Sequence, residues 1–326
     1  MAKVFVTRRI PEKGLKRMKE SHDVRIWKDQ VPPTKDEIRN EADGCEGLVT
    51  LLSDQIDEEL IDSLPQLKVI AQYAVGYDNI DVAAASKRGI MVTNTPGVLT
   101  ETTADLTWAL ILAASRKIVE SDRYVRNGKW TVAWGPKLLL GEDVHGATLG
   151  VVGLGRIGSA VAARAKGFNM NIVYHTRSEN GTTKRAEKDL GVKRGSFDVL
   201  LRESDIITMH VPLTKETHHM IGEGEFRKMK RSAVFVNTSR GSVVDEEALY
   251  RSLKSNLIFA AGLDVFEEEP ISTDNPLLTL PNVVLAPHTG SASTRTRTVM
   301  AEMCAENLVL ALSGERPPNI INSEVL

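Results

Sequence analysis

The sequence predicts an α/β fold of two doubly wound parallel-sheet domains, and three observations predict it. At 326 residues the chain exceeds the roughly 250–300 at which one hydrophobic core stops growing. Short β-branched runs alternate with helix-length segments along most of its length, which is how parallel strands joined by covering helices read. A glycine-rich turn also separates a strand from a helix near the middle. The composition, 42% hydrophobic and 26% charged with a formal net charge of −2, excludes a disordered chain or a fibre. Balanced charge gives no electrostatic reason to expect nucleic acid or an anionic membrane.

Residues 3–7 read as a strand and 12–20 as an amphipathic helix. Residues 23–27, 47–51 and 68–72 read as further strands. Thr93-Asn94-Thr95-Pro96-Gly97 then breaks the pattern, because Pro96 pushes Thr95 out of the α region. A long apolar helix follows, with Thr102 and Asp105 spaced as a capping pair and Leu106, Leu110 and Ala113 in helical period. Residues 127–142, rich in Gly, Trp and Leu, read as an irregular connection. A second series of six strands is expected at 148–152, 171–175, 205–209, 233–237, 259–263 and 283–286. A helix at 294–313 has no strand after it and is expected to return to the first domain. The predicted domains are therefore 1–98 with 289–326, for substrate, and 99–288, for a dinucleotide.

Cys45 and Cys304 lie far apart with no CxxC spacing, so neither a disulfide scaffold nor a cysteine-ligated metal is expected. The start carries an apolar run of only three residues before Thr7 and Arg8, too short for a secretory signal. The apolar stretch 108–114 is far shorter than a bilayer requires. A cytoplasmic protein is the expectation.

The strongest local motif is Gly153-Leu154-Gly155-Arg156-Ile157-Gly158. Gly153 permits a tight turn, Gly155 lets a pyrophosphate approach the backbone, and Gly158 lets helix and strand pack closely. The helix N-terminus opened by Arg156 and Ile157 then offers free N–H groups to phosphate. About twenty residues on, the strand ends in His175-Thr176-Arg177-Ser178, without the acidic residue that would hold the ribose of NAD. Arg177 and Ser178 suit a 2′-phosphate instead, although Glu179 stands nearby and Arg177 is equally readable as a solvated loop residue. The expected cofactor is NADP(H) by preference, with NAD(H) possible.

Hydride transfer to a 2-oxo acid needs a cation for the carboxylate and carbonyl, an acid for the oxygen, and a carboxylate to hold that acid. Arg240, Glu269 and His288 each follow a predicted strand, where ligands bind in such sheets. His210 also ends a strand, and spacing alone does not choose between it and His288.

Gly153–Gly158, Asn237-Thr238-Ser239-Arg240-Gly241, Gly262-Leu263-Asp264-Val265-Phe266 leading to Glu269-Pro270, and Pro287-His288-Thr289-Gly290 together resemble the D-isomer-specific 2-hydroxyacid dehydrogenases. Within them the chain is most similar to glyoxylate/hydroxypyruvate reductases. The resemblance implies a Rossmann-type cofactor domain plus a flavodoxin-like substrate domain, and NAD(P)H-dependent reduction of a small 2-oxo acid to the D-2-hydroxy acid. It implies Arg240, Glu269 and His288 as catalytic residues, settling the histidine, and Thr238 and Asp264 as further cofactor contacts. On the substrate side it implies Leu52, Val75 and Gly76, besides Arg240 and His288, with backbone N–H groups at Val75 and Gly76 turned to the carboxylate. It also implies a homodimer with Trp134 reaching toward the neighbouring site, and the apolar segments 106–114 and 130–140 are expected to supply the surface. Other readings are a nucleotide-sensing corepressor on the same fold, or a dehydrogenase for D-lactate or 3-phosphoglycerate.

Overall fold

The structure, a computed structural model, describes residues 1–177 and 181–326. The chain divides into two compact units, Met1–Leu99 with Ser291–Leu326, and Thr100–Gly290.

The first unit begins with β1 (Lys3–Val6), α1 (Glu12–Lys19), β2 (Asp23–Ile26), α2 (Lys35–Glu41) and β3 (Gly47–Thr50). It continues with α3 (Glu58–Asp62), β4 (Val69–Gln72), α4 (Val82–Lys87) and β5 (Met91–Thr93). Its five strands pair in the order β2-β1-β3-β4-β5, every pair parallel, which is the flavodoxin-like order. Side-chain oxygens of Thr34, Asp57 and Asp81 cap α2, α3 and α4, giving each helix a defined start. β3 and β4 are buried throughout, as strands covered on both faces must be.

The second unit opens with α5 (Thr100–Ser115) and α6 (Ile118–Arg126). Then follow β6 (Thr148–Val152), α7 (Arg156–Ala165), β7 (Asn171–His175), α8 (Gly181–Leu190), β8 (Lys193–Arg194), α9 (Phe197–Glu203) and β9 (Ile206–Met209). It ends with α10 (Glu223–Phe226), β10 (Val234–Asn237), α11 (Glu246–Lys254), β11 (Ala260–Leu263) and β12 (Val283–Leu285). The order β12-β11-β10-β9-β6-β7-β8 is a Rossmann sheet whose strand order reverses between β6 and β9, the point where such sheets bind dinucleotides. After β12 the chain returns to the first unit as α12 (Thr294–Leu312). There Met300, Ala301, Cys304 and Leu308 share a core with Val4, Leu15 and Val69. Gly14 on α1 makes that packing possible: a Cβ there would lie 2.4 Å from the Ala301 carbonyl oxygen.

The structure adds β5 and β8, strands of three and two residues that are too short to show a period. α5 starts at Thr100, so Thr102 sits inside its first turn and does not cap it. The apolar face of α5 is also consumed internally. Trp108, Leu110, Ile111 and Ala114 are buried in the second unit's own core, whereas Trp130, Val132, Trp134 and Leu140 beyond α6 are exposed. Among the described residues no helix is long and apolar enough to cross a membrane.

Candidate active site

The turn after β6 has the shape a dinucleotide requires. Gly153 has φ +94°, and a Cβ on it would lie 2.7 Å from the His210 carbonyl oxygen. A Cβ on Gly158 would lie 2.1 Å from the Gly153 carbonyl oxygen, whereas one on Gly155 would meet nothing within 4 Å. Two glycines thus close the turn, and the third leaves room in front of it. Gly155 is the N-cap of α7 and offers no side-chain cap, so the first N–H groups of the helix face outward for an anion. Arg156 and Gly155 are exposed there, and Ile157 is half-buried. The residues present fit a dinucleotide.

Three further strand ends of the same unit carry His288, Glu269 and Arg240. His288 follows β12, and its Nδ1 lies 2.6 Å from Glu269 Oε2. The other Glu269 oxygen accepts from the Phe266 N–H at 3.0 Å, so the carboxylate is fixed at both ends. Both side chains keep about a third of their surface, 30% for His288 and 35% for Glu269. With Nδ1 directed at Glu269, Nε2 is the end of the ring left to meet a substrate.

The backbone of His288 adopts φ +51°, a left-handed conformation uncommon for a residue other than glycine. Such strain persists only where the surroundings fix it, and here Asp264 does. Its carbonyl accepts the His288 N–H at 2.9 Å. Its carboxylate accepts the N–H groups of Thr289 at 2.6 Å and Gly290 at 2.8 Å. Burial pushes the Asp264 carboxyl up, against these hydrogen bonds, and only 1% of the residue is exposed. The structure thus gives Asp264 an inward task, holding the histidine turn.

Arg240 leaves β10 through a turn built by Asn237. The Asn237 Oδ1 accepts from the Ser239 N–H at 3.0 Å, and its Nδ2 donates to the Arg240 carbonyl at 2.8 Å, an Asx turn. The half-buried Arg240 guanidinium donates through Nη1 to the Ser239 carbonyl at 2.8 Å. Gly241 must be glycine, since a Cβ would lie 1.8 Å from the Phe266 carbonyl carbon. Thr238 is buried with its hydroxyl 2.9 Å from that of Thr107. His210, the competing histidine, is pushed down to about 3 by burial, and its Nε2 is buried without a partner. Burial thus favours its uncharged form.

At the end of β7, Arg177 is 77% exposed in its side chain and lies 3.6 Å from Glu216. Arg194 donates to the Thr176 carbonyl at 3.3 Å, so a second guanidinium flanks this strand end. Ser178 lies outside the described residues. In the first unit, Leu52, Val75 and Gly76 are half-buried in loops that leave β3 and β4. Asn94 donates to the Val75 carbonyl at 2.8 Å and Gln72 to the Gly76 carbonyl at 3.1 Å, which turns both carbonyls inward.

The turn-building tasks of Asn237 and Gly241, and the inward role of Asp264, escape a reading of motifs alone. Their signal is local: an Asn at a strand end two residues before a serine, and a glycine directly after the arginine.

The family model for the NAD-binding domain of D-isomer-specific 2-hydroxyacid dehydrogenases matches residues 108–290. A glyoxylate reductase of Korarchaeum cryptofilum is 58% identical, over 99% of this chain and 97% of the relative. One of Thermococcus litoralis is 52% identical, over 99% and 98%. Among solved structures, the NADPH-dependent glyoxylate/hydroxypyruvate reductase of Sinorhizobium meliloti, in complex with NADP and malonate, is 32% identical. It superimposes with a TM-score of 0.87 over 99% of this chain and 97% of that one. With a dinucleotide turn at the switch point of its seven-stranded sheet and such relatives along its whole length, the chain belongs to the D-isomer-specific 2-hydroxyacid dehydrogenases, enzymes that work with a nicotinamide cofactor.

Proposed function

We propose that the protein reduces small 2-oxo acids, glyoxylate and hydroxypyruvate foremost, to the D-2-hydroxy acids, and that NADPH is its preferred reductant. The observation that carries this reading is the 2.6 Å contact between His288 and Glu269, at strand ends of the unit that holds the dinucleotide turn. Gly153, Gly155, Arg156, Ile157, Gly158 and Thr238 would hold the cofactor. When bound, the reduced nicotinamide supplies the hydride. Protonated His288 gives its Nε2 proton to the carbonyl oxygen as the alcohol forms, and Glu269 keeps the ring oriented through Nδ1. Arg240 binds the carboxylate by a forked pair of hydrogen bonds and polarises the carbonyl. In the reverse direction neutral His288 takes the proton. Leu52, Val75 and Gly76 of the first unit would add the remaining substrate contacts.

The NADPH preference draws support from Arg177, which is exposed at a strand end that carries no acidic residue at His175 or Thr176. A homodimer draws support from the exposed Trp130, Val132, Trp134 and Leu140, more apolar surface on one segment than a monomer usually leaves open. Buried, unpaired Cys45 and Cys304 suit the cytoplasm.

Initial rates with glyoxylate, hydroxypyruvate, pyruvate and phosphohydroxypyruvate, each with NADPH and NADH, test the reading. The first two substrates with NADPH are expected to give the highest kcat/KM. A clear preference for pyruvate or the phosphorylated acid would overturn it. Light scattering is expected to give twice the chain mass.

A further inference from the structure

We propose that His219 is a positioning residue for this reduction, tying the turn that carries Arg240 to the loop that carries Glu269. The inference rests on the reading of Arg240, Glu269 and His288 as the residues of the reaction.

The two segments already touch, main chain to main chain. Gly241, directly after Arg240, packs so closely on the Phe266 carbonyl that no side chain fits between them. Phe266 in turn donates to Glu269. Contact alone does not fix one segment against the other, because a glycine face offers nothing directional. His219 adds the direction. Its main-chain N–H donates to the Ser242 carbonyl at 2.8 Å, two residues past Arg240. Its Nε2 lies 2.7 Å from Glu267 Oε1, two residues before Glu269. One residue therefore meets both segments.

Glu267 is itself clasped. Its Oε1 accepts from the Glu246 N–H at 3.2 Å, and its own N–H donates to Glu246 Oε1 at 2.6 Å. The second Glu246 oxygen accepts from Asn275 at 3.0 Å. The loop is thus fastened to the start of α11 by a reciprocal pair, and His219 couples that pair to the arginine turn. His219 holds φ +50° to do so, and its ring stacks on His218 at 4.0 Å between centroids. A solvated surface histidine has no need of either constraint. It touches neither His288 nor the bonds that form, so it acts through Glu269 and Arg240.

The test compares His219→Met with His219→Gln. Both replacements are unbranched, and both meet the same backbone strain at φ +50°. Glutamine alone keeps an N–H for Glu267. With glyoxylate and NADPH, the methionine variant is expected to lose about tenfold in kcat, the scale of one polar contact to a charged group. Its KM for NADPH is expected to stay within about twofold, because the phosphate turn is untouched. Its acid limb in the pH profile of kcat is expected to move, since the Glu269–His288 pair is loosened. Glutamine is expected to restore most of the rate. A methionine variant with wild-type kcat overturns the proposal, and so does a glutamine variant as impaired as the methionine one. Glu267→Gln, a weaker acceptor for the same N–H, is expected to lose about threefold and decides the matter if the methionine variant fails to fold; unchanged kcat there overturns the tie. His288→Ala run beside them separates the two levels. If it is inactive while His219→Met is normal, only the tie falls; if it is active, the reading beneath falls and the tie with it.

Discussion

Two sites at the strand ends of the second unit differ in how tightly they hold their side chains. After β11 and β12, His288 and Glu269 meet at 2.6 Å, and Asp264 accepts three main-chain N–H groups from the histidine turn. After β7, Arg177 stands 77% exposed with an ion pair of 3.6 Å. The first end spends a buried carboxylate and a strained backbone to fix one imidazole. The second spends almost nothing. Proton transfer depends on tenths of an ångström, so its groups must be built in place. Choosing between a phosphate and a hydroxyl depends on charge, which a long exposed side chain delivers from many conformations. Loss of a fixed group should therefore cost turnover with either cofactor, and loss of Arg177 should cost one cofactor alone.

The largest expected effect lies at the fixed end. His288→Ala is expected to lower kcat by at least about 10²-fold, the usual scale for a general acid, with the KM for NADPH little changed. Turnover close to wild type would erase the distinction between the two ends. Arg240→Lys comes next, with kcat/KM for glyoxylate expected to fall by roughly 10- to 10²-fold although the charge is kept, because an ammonium cannot hold carboxylate and carbonyl in one planar fork. A lysine variant with normal kcat/KM would show that charge alone matters there and that the fixed geometry is idle.

The same contrast governs what could be read in the sequence. Both parallel sheets were legible because buried strands of four or five residues are continuous apolar runs between helices with polar caps. β5 and β8 were not, being too short for a period. The glycine turn was legible because each glycine answers to a separate steric demand: Gly153 and Gly158 would collide with neighbouring carbonyls, and Gly155 faces open space. His288 and His210 were not separable from spacing, since both end strands. Burial separates them, holding His210 neutral, and burial of one side chain is a property of the packed unit. The task of Asp264 was hidden for a similar reason, as its partners Thr289 and Gly290 come from a strand end 25 residues away.

At the open end, Arg177→Ala is expected to lower kcat/KM with NADPH by roughly 10- to 150-fold, the range of one charge-assisted hydrogen bond, and to leave NADH unchanged. Measuring both cofactors in the wild type and the variant sharpens the comparison. An equal loss with both would mean that Arg177 shapes the turn and does not read the phosphate. No loss with either would make it a solvated loop residue.

The smallest expected effect concerns the partner that Arg177 already has. Glu216 lies 3.6 Å from the guanidinium, and its carboxylate accepts from the Thr214 hydroxyl at 2.8 Å. That hydrogen bond, with Arg177 a lesser contributor, holds its carboxyl below the usual range, so it is ionised at any working pH. A 2′-phosphate arriving at Arg177 must displace this carboxylate or share the guanidinium with it, and two anions at one cation repel. Glu216→Gln keeps a polar group for Thr214 and removes the charge. Exposed ion pairs are weak, so the KM for NADPH is expected to fall only about two- to fivefold, with kcat and the NADH constants unchanged. The gain should shrink as salt is raised, because screening already weakens the carboxylate at high ionic strength. A higher KM for NADPH in the variant would mean that Glu216 steers Arg177 toward the phosphate. The open end would then be preorganised after all, and the difference between the two strand ends would be one of degree.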